Sequence, residues 1–414
     1  MESPETTSIL PRAAAGALER AMKTSPVVAL LGARQAGKTT LLRTLPELAA
    51  RPYLTLDDFD LRNLAQTDPE AVVARGRALV IEEVQRAPGL VLAVKRSIDR
   101  DKRRAPGRIV LTGSANLLLL ERLSNTLAGR AAYVTLWPFT RCERLGLGRT
   151  GRWMELLQTS PDKWPALLAH GSLPVEDWRV AARLGGLPVP AHELQDDDQR
   201  AIWFTGYVQT YLERDLQALR AVENLADFRR LMRAACLRLG SLVNQTELAR
   251  DVGIAQPQVH RFLNLMEASY QLVRLAPYSV NRTKRLIKAP KLYWSDTALA
   301  LHLSGEREAR GVHLENLVLN DLIAWRDITP ARAEVLCWRT ASGQEVDFVI
   351  ETARTLLPIE VKASPRATTS DIKGLEAFLD EYSDFAKAGL LLYDGSEIMP
   401  LSRRVLAAPW WSVC

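Results

Sequence analysis

The chain has 414 residues, a formal net charge of +6 at pH 7 and a hydrophobic fraction of 47%, which allows two to four domains with buried cores. No apolar run approaches the roughly 18 residues that a membrane span needs, and the polar start lacks the apolar core of a signal peptide, so we expect a cytoplasmic protein without a membrane partner. The cysteines follow no zinc-site or disulfide-framework spacing. We therefore expect four reduced thiols, at Cys142, Cys236, Cys337 and Cys414.

The first 140 residues alternate between short apolar runs and helical patterns, after a predicted helix at residues 12–23. Strands that alternate with helices imply a parallel sheet that is covered on both faces. The spacing therefore predicts an α/β domain, with helices that include residues 38–48 and 89–99. The predicted strands are residues 27–31, 53–56, 78–81, 108–111 and 132–136.

A phosphate-binding loop follows the first predicted strand. Residues 32–39 fit the pattern GxxxxGK[ST], and a helical pattern opens at Lys38. Glycines let backbone N–H groups wrap phosphates, and the helix N-terminus adds a positive dipole. We expect Lys38 to reach the β- and γ-phosphates of ATP and the Thr39 hydroxyl to bind Mg²⁺. The predicted nucleotide contacts are Gly32, Ala33, Arg34, Gln35, Ala36, Gly37, Lys38, Thr39 and Thr40.

Polar residues at later strand ends are the candidate catalytic groups. If the third predicted strand lies next to the first, Glu82 holds the Mg²⁺ and Glu83 polarises the attacking water. The other interpretation is two solvated acids. Ser114 or Asn116, after the fourth strand, is the predicted γ-phosphate sensor. Arg130 is predicted either to stabilise charge, in cis or across a subunit interface, or to be a surface arginine.

Residues 244–266 have the pattern of a helix-turn-helix. Gly253 supplies the turn, and Pro257 falls in the first turn of the second helix, where a missing N–H is tolerated. In DNA-binding proteins of this kind, the second helix presents its exposed side chains to base edges. The predicted DNA contacts on that helix are Gln256, Gln258, His260 and Arg261.

A basic segment follows and is predicted to be extended over residues 275–297, as a wing. Residues 225–305 contain 12 Lys/Arg against 5 Asp/Glu, a balance of +7 that exceeds the charge of the whole chain. Such a concentration of charge suits phosphate binding. The alternative is a winged helix that serves only packing or protein binding. The predicted DNA contacts in the wing are Arg282, Lys284, Arg285 and Lys288.

After residue 305 the pattern returns to mixed α and β, and four charged residues are spaced along it: Glu315, Asp347, Glu360 and Lys362. Strand alternation places Glu360 and Lys362 on one face. The set resembles the PD-(D/E)XK nuclease fold. That resemblance implies that Asp347 and Glu360 hold Mg²⁺ or Mn²⁺, that Lys362 activates water and that Glu315 assists, in metal-assisted phosphodiester hydrolysis. The alternative is the same fold without cleavage.

Several motifs together resemble the prokaryotic AAA-type ATPases that carry a C-terminal domain of unknown function. The resemblance covers nearly the whole chain and implies an ATPase. It departs from the family at Glu82, where the first acid is usually Asp, which leaves the rate of hydrolysis open. The motifs lie at residues 32–42, 81–88, 111–114, 127–130, 211–216 and 291–297.

The predicted architecture has four parts: an AAA-type P-loop ATPase core with a parallel sheet (residues 1–140), a helical lid (141–222), a winged helix-turn-helix (223–305) and a restriction-endonuclease-like α/β domain (306–414). The first functional hypothesis is an ATP-dependent enzyme that binds DNA and cuts it. The second is a nucleotide-gated switch that binds DNA or protein, of a defence or toxin–antitoxin type, with an inactive nuclease-like domain. The third is an ATPase that remodels a protein partner. AAA cores often form rings, so an oligomer is compatible with each.

Overall fold

The computed structural model describes residues 9–101, 103–113, 125–169, 174–213 and 224–414. The chain forms two compact units. Unit 1 consists of Met1–Phe139 with Leu265–Gln271, and unit 2 consists of Thr140–Asn264 with Leu272–Cys414. Within the described ranges, none of the helices combines the length and the apolar character that crossing a membrane requires.

Unit 1 is built on a five-stranded sheet with the order β2-β3-β4-β1-β5. Every pair of neighbours is parallel, which confirms the predicted parallel sheet. The expectation that the first and third strands are neighbours is wrong, because β4 lies between them and pairs with both. The strands are β1 Val27–Leu31, β2 Tyr53–Thr55, β3 Leu79–Glu82, β4 Ile109–Thr112 and β5 Ala131–Thr135.

Helices pack against this sheet. The strands β1, β3 and β4 are buried at every position, as expected for strands covered on both faces. One apolar core joins alternate residues of these strands to α3, α4 and α5, while α1 packs on β1 and β5. The helices are α1 Ala14–Thr24, α2 Lys38–Thr44, α3 Phe59–Thr67, α4 Pro69–Val73 and α5 Leu90–Arg100.

Unit 2 begins with a series of short helices. Arg141 anchors them, because its guanidinium donates to the carbonyl oxygens of Trp411 (2.9 Å) and Pro174 (2.7 Å). The backbone N–H of Arg141 donates to Asp321 Oδ1 at 3.0 Å. The helices are α6 Arg141–Arg144, α7 Trp153–Gln158, α8 Trp164–Ala169, α9 Trp178–Leu184 and α10 Asp197–Tyr207, and the π-helical segment Val208–Glu213 follows.

Three helices and an antiparallel hairpin come next. The helices are α11 Leu225–Leu237, α12 Gln245–Val252 and α13 Gln256–Ala268. The hairpin joins β6 (Leu272–Leu275) to β7 (Lys291–Trp294), and residues 240–243 run alongside β7 through backbone hydrogen bonds. The segment that was predicted to be extended contains helix α14 (Arg282–Ile287), since the Asn281 side chain caps it by accepting from the N–H of Thr283 at 3.0 Å.

The last part of unit 2 is a six-stranded mixed sheet with the order β12-β13-β11-β10-β9-β8. The sequence pattern predicts four of its strands, near residues 334–339, 345–350, 356–361 and 388–393, and the remaining two, β12 and β13, were not predicted. Helix α17 packs on β9, β10 and β11, and helix α16 packs on β8 and β10. The elements are α15 Thr297–Ser304, α16 Gly311–Ile328, β8 Glu334–Arg339, β9 Glu345–Glu351, β10 Leu356–Lys362, α17 Lys373–Glu381, β11 Gly389–Tyr393, β12 Met399–Pro400 and β13 Val405–Pro409.

Two of the cysteines do not match the expectation of free thiols. Cys142 and Cys414 form a disulfide in unit 2 across 272 residues of sequence. Cys236 and Cys337 are free and buried. Sequence spacing could not reveal this pair, because residues so far apart in the chain are brought together only by the packing of α6 against the C-terminal segment.

Candidate functional site

The phosphate loop joins the end of β1 to the start of α2, and two glycines permit its shape. Gly32 has a φ of +147°, and a Cβ there would lie 2.1 Å from the carbonyl oxygen of Leu136. Gly37 caps α2 with a φ of +91°. A side chain is incompatible with the first position and strained at the second. The loop therefore has the backbone that wrapping a phosphate requires.

Lys38 and Arg12 hold this loop together. Lys38 Nζ donates to the carbonyl oxygens of Gly32 (3.0 Å) and Ala33 (2.7 Å), and burial lowers the pKa of Lys38 to about 8. The buried Arg12 donates to the carbonyl oxygens of Ala36 (2.7 Å) and Trp137 (2.6 Å). The sequence gives no sign of this role of Arg12, since its partners are backbone atoms far along the chain.

The two predicted Mg²⁺ ligands are in direct contact. The Thr39 hydroxyl donates to Glu82 Oε1, and the Glu82 side chain is buried at the end of β3. Burial, together with the charge of Glu82, raises the pKa of the neighbouring Tyr53. A hydroxyl and a carboxylate are hard oxygen ligands, so this donor set fits Mg²⁺. When bound with ATP, that cation neutralises charge on the β- and γ-phosphates.

Glu83 lies next to this pair in a left-handed backbone conformation, with a φ of +57°. Its Oε2 accepts a hydrogen bond from the Gln85 side chain, and burial raises its pKa despite the opposing charges of Arg34 and Lys38. A carboxylate with a raised pKa is a better proton acceptor. The geometry is thus compatible with the predicted role of Glu83 in orienting and deprotonating the attacking water.

Three further residues were predicted to act in ATP hydrolysis: Arg130, Ser114 and Asn116. Arg130 precedes β5, and its carbonyl oxygen accepts from the N–H of Val27, at the opposite end of the sheet from the phosphate loop. That separation is about 16 Å along a five-residue strand, so the predicted action in cis is wrong. Arg130 instead forms a bidentate ion pair with Asp99 at 2.6 and 3.0 Å. Ser114 and Asn116 lie outside the described residues.

In unit 2, strand pairing brings two of the C-terminal charged residues together. The antiparallel register of β9 and β10 pairs Phe348 with Ile359 and so sets Asp347 opposite Glu360. The backbone N–H of Asp347 donates to Glu360 Oε2 at 3.3 Å, and Lys362 Nζ contacts Glu360 Oε1 at 2.6 Å. These contacts agree with the strand alternation that the sequence predicted.

Glu315 reaches the same place from α16. The buried Tyr293 hydroxyl donates to Glu315 Oε2 at 3.1 Å. A Cβ on Gly240 would lie 3.2 Å from the same oxygen, so a side chain at this position would have a tight contact with Glu315. Burial and then the charge of Asp347 raise the pKa values of both Glu315 and Glu360. We call Glu315, Asp347, Glu360 and Lys362 the acidic cluster.

The predicted metal ligands of this cluster are engaged by other groups. Lys291 Nζ lies 3.0 Å from Asp347 Oδ1, and Asp347 Oδ2 accepts from the N–H of Val361 at 3.0 Å. Burial opposes charge on Lys291, but Asp347 and Glu315 raise its pKa above the ordinary value. Across the ranges that the structure describes, no group of three or more His, Cys, Asp or Glu has a metal-binding arrangement. The assignment of Asp347 and Glu360 as ligands of Mg²⁺ or Mn²⁺ therefore stays a prediction, and in the structure both carboxylates are engaged by protein groups.

The predicted DNA-contacting helix is α13. Its side chains Gln256, His260 and Arg261 are exposed, and Gln258 is partly buried. Gln256 Nε2 donates to Gln245 Oε1 at 3.3 Å, a contact that joins the start of α13 to α12. The opposite side of α13 is buried through Val259, Phe262 and Leu263.

The basic residues around α14 divide into two kinds. Arg282, Lys284 and Lys288 are exposed and have no ion-pair partner among the described residues. Arg285 is buried, pairs with Glu351 and with Glu334 (3.0 Å), and lies over the ring of Tyr278. The prediction that Arg285 contacts DNA is therefore wrong, because its guanidinium is used inside unit 2.

Family models match three successive parts of the chain. A model described as an AAA domain matches residues 24–145. Two models described as domains of unknown function, DUF8612 and DUF4143, match residues 175–310 and 310–413. The AAA match contains the phosphate loop and both acids at the end of β3.

Two mycobacterial proteins are similar to nearly the whole chain. Uncharacterized protein Rv2008c of Mycobacterium tuberculosis and uncharacterized protein Mb2031c of Mycobacterium bovis are each 31% identical over 412 residues. The alignment covers 96% of this chain and 83% of each relative.

Solved structures are also similar, at lower identity. The Walker-type ATPase PABY2304 of Pyrococcus abyssi has a TM-score of 0.44 and 15% identity, covering 72% of this chain and 99% of that one. The Orc1 protein of Aeropyrum pernix in complex with DNA has a TM-score of 0.30 and 16% identity, covering 73% and 95%. RuvB of Thermotoga maritima has a TM-score of 0.31 and 19% identity, covering 63% and 86%.

Proposed function

This chain has an AAA domain and belongs to the same family as the two uncharacterized mycobacterial proteins, and from that premise we propose that it is a nucleotide-gated ATPase that binds DNA. ATP is the substrate of unit 1. Lys38 and the loop N–H groups bind its phosphates, Thr39 and Glu82 hold Mg²⁺, and Glu83 activates the water. DNA is the partner of the exposed basic surface on unit 2.

The observation that carries the DNA proposal is a set of exposed cations on and beside α14 that have no ion-pair partner in the part of the chain that the structure describes. Elsewhere in this segment, Arg238 is neutralised by Glu247 and Asp251, but Arg282, Lys284 and Lys288 face solvent. Cations that are not paired within the protein are available for phosphates, and each phosphate contact releases counterions. These exposed residues support DNA binding better than the net charge of the segment does, because some of its basic residues form ion pairs within the protein.

The arrangement of elements supports the same proposal. Three helices followed by a hairpin, with residues 240–243 paired to β7, have the order of a winged helix. In that fold the third helix, here α13, enters the major groove and the hairpin connection contacts the backbone. Gln256, His260 and Arg261 would then face bases, while Arg282, Lys284 and Lys288 face phosphates.

Fluorescence anisotropy with a labelled DNA duplex, measured over a range of salt concentrations, tests the proposal. Lys284→Ala and Arg282→Ala are each expected to weaken binding on every duplex and to reduce the salt slope by about 1, as the loss of one phosphate contact does. Arg354→Ala is the matched control, because Arg354 is an exposed arginine in the turn between β9 and β10. Equal binding by all three variants and the parent would refute the proposed DNA surface.

Metal-dependent DNA cleavage is the second candidate function. The observation in its favour is that four residues separated by up to 47 positions meet in one acidic cluster, as a nuclease-like fold requires. Plasmid, linear, branched and single-stranded DNA with Mg²⁺ or Mn²⁺, with and without ATP, provide the test. Cleavage that Lys362→Ala abolishes would establish the nuclease, and Lys38→Ala would then show whether ATP controls it. Absence of cleavage would leave the DNA-binding ATPase.

A further inference from the structure

Lys291 reaches the acidic cluster from outside the sheet that carries it. It is the first residue of β7, whereas Asp347 and Glu360 lie on β9 and β10. The three residues are 4%, 4% and 5% exposed, so this is an interior ion pair and not a flexible surface contact. A charge is costly to bury without a partner, and the depth of Lys291 therefore shows that its ammonium and the carboxylates depend on each other.

The carboxylate oxygens of the cluster are almost all occupied. Asp347 accepts from Lys291 and from the N–H of Val361, while Glu360 accepts from Lys362 and from the N–H of Asp347. Glu315 accepts from the Tyr293 hydroxyl. A divalent cation needs several oxygens that point to one centre. Here the ammonium of Lys291 donates to Asp347 Oδ1, an oxygen that such a cation would need as a ligand.

We propose that Lys291 takes the place of the divalent cation in the acidic cluster, so that the cluster binds no metal while Lys291 is in place. Two ammonium groups then face three carboxylates, and the resulting network ties the hairpin to the C-terminal sheet. This inference goes beyond the proposed DNA-binding ATPase and does not depend on it. It is the alternative to the second candidate function, so metal-dependent cleavage that Lys362→Ala abolishes would overturn it. It assigns the cluster a lysine-neutralised state in which metal-assisted hydrolysis does not start.

Direct titration of the full-length protein with Mn²⁺, followed by the EPR signal of free Mn²⁺ in the absence of nucleotide and DNA, tests this. All proteins carry Thr39→Ala, which removes the hydroxyl ligand of the nucleotide site. The parent in this background is expected to show no Mn²⁺ site that depends on Asp347. Lys291→Met is expected to bind one Mn²⁺ per chain at least about tenfold more tightly than the parent, since its carboxylates have lost a buried partner.

Two controls identify the site and the cause. Adding Asp347→Asn to Lys291→Met should abolish the new Mn²⁺ site, and Lys291→Arg, which keeps a cation, should not create one. A parent site that Asp347→Asn removes would overturn the proposal, whether or not Lys291→Met folds. A folded Lys291→Met variant without a new site would also overturn it. Neither result would affect the anisotropy test, so the two proposals fail separately.

Discussion

Glu83 has a raised pKa and lies beside the predicted Mg²⁺ ligands, and we predict that hydrolysis depends on it. Glu83→Gln keeps the size of the side chain and the contact with Gln85 but removes the base. We expect ATP binding to stay near the parent value and turnover to fall by about 10²- to 10⁴-fold, the usual contribution of a positioned base. Phosphate release and ATP binding are the measurements, and Glu47→Gln, an exposed acid in the same unit, is the control. A turnover within a few-fold of the parent would assign water activation to another group.

Asp321 is a buried carboxylate whose pKa is raised from 3.8 to about 6, mainly by burial. An acid with a raised pKa favours the folded state when it is protonated, so this contribution is complete below about pH 4 and is lost as the pH rises through 6. Asp321→Asn keeps an oxygen that can accept from the N–H of Arg141. We expect the variant to be more stable than the parent by about 1–3 kcal/mol at pH 7.5 and by much less at pH 4. Denaturant unfolding at both pH values is the measurement, and a pH-independent difference would contradict the assignment.

At this scale the sequence predicts residues whose partners are local and misses those whose partners are distant. The phosphate loop is one continuous motif, so Lys38 and Thr39 could be assigned directly. Arg12 donates to the carbonyl oxygens of Ala36 and Trp137. Every residue has a backbone carbonyl group, so residue types cannot indicate such a contact. Lys291 resembles any basic residue of its segment until the fold places Asp347 beside it.

Among the elements, α12 depends on a single cap. Asn244 Oδ1 accepts from the N–H groups of Thr246 (3.1 Å) and Glu247 (3.2 Å), which have no partner within the helix. Asn244→Ala is expected to lower the free energy of unfolding by about 1 kcal/mol, whereas Asn244→Asp should preserve it. Denaturant unfolding of the two variants checks this, and equal losses would show that the cap contributes little.

The spacing of apolar residues predicted most helices and strands, because burying one side of such an element places apolar residues at a regular interval. It failed at α14, where Leu286 and Ile287 are exposed and no apolar face exists to reveal a helix. That helix is fixed by the Asn281 cap and by the pairing of Arg285 with Glu351, which comes from β9. Strand β12 has only two residues and β13 is buried at every position, so neither shows the alternation of apolar and polar residues that predicts a half-buried strand.

For the whole molecule, the sequence predicts domain boundaries near residues 222 and 305, where the pattern of apolar and charged residues changes. Buried polar contacts cross both. Asp296 accepts from the N–H groups of Gly186 (2.7 Å) and Leu187 (2.9 Å), and Lys291 pairs with Asp347. The residue pattern reflects local secondary structure, whereas contacts between distant residues depend on how the elements pack. Domain limits could therefore be predicted less well than elements.

The Cys142–Cys414 bond closes the chain between residues 142 and 414 into a covalent ring. A single proteolytic cut at an exposed loop inside the ring, for instance between β9 and β10, opens it without releasing a fragment. The nicked chain is therefore expected to keep its full mass on a non-reducing gel and to separate into two pieces only after reduction. With Cys142→Ser the same cut should give two pieces under both conditions, and a fragment freed from the parent without reductant would exclude the ring.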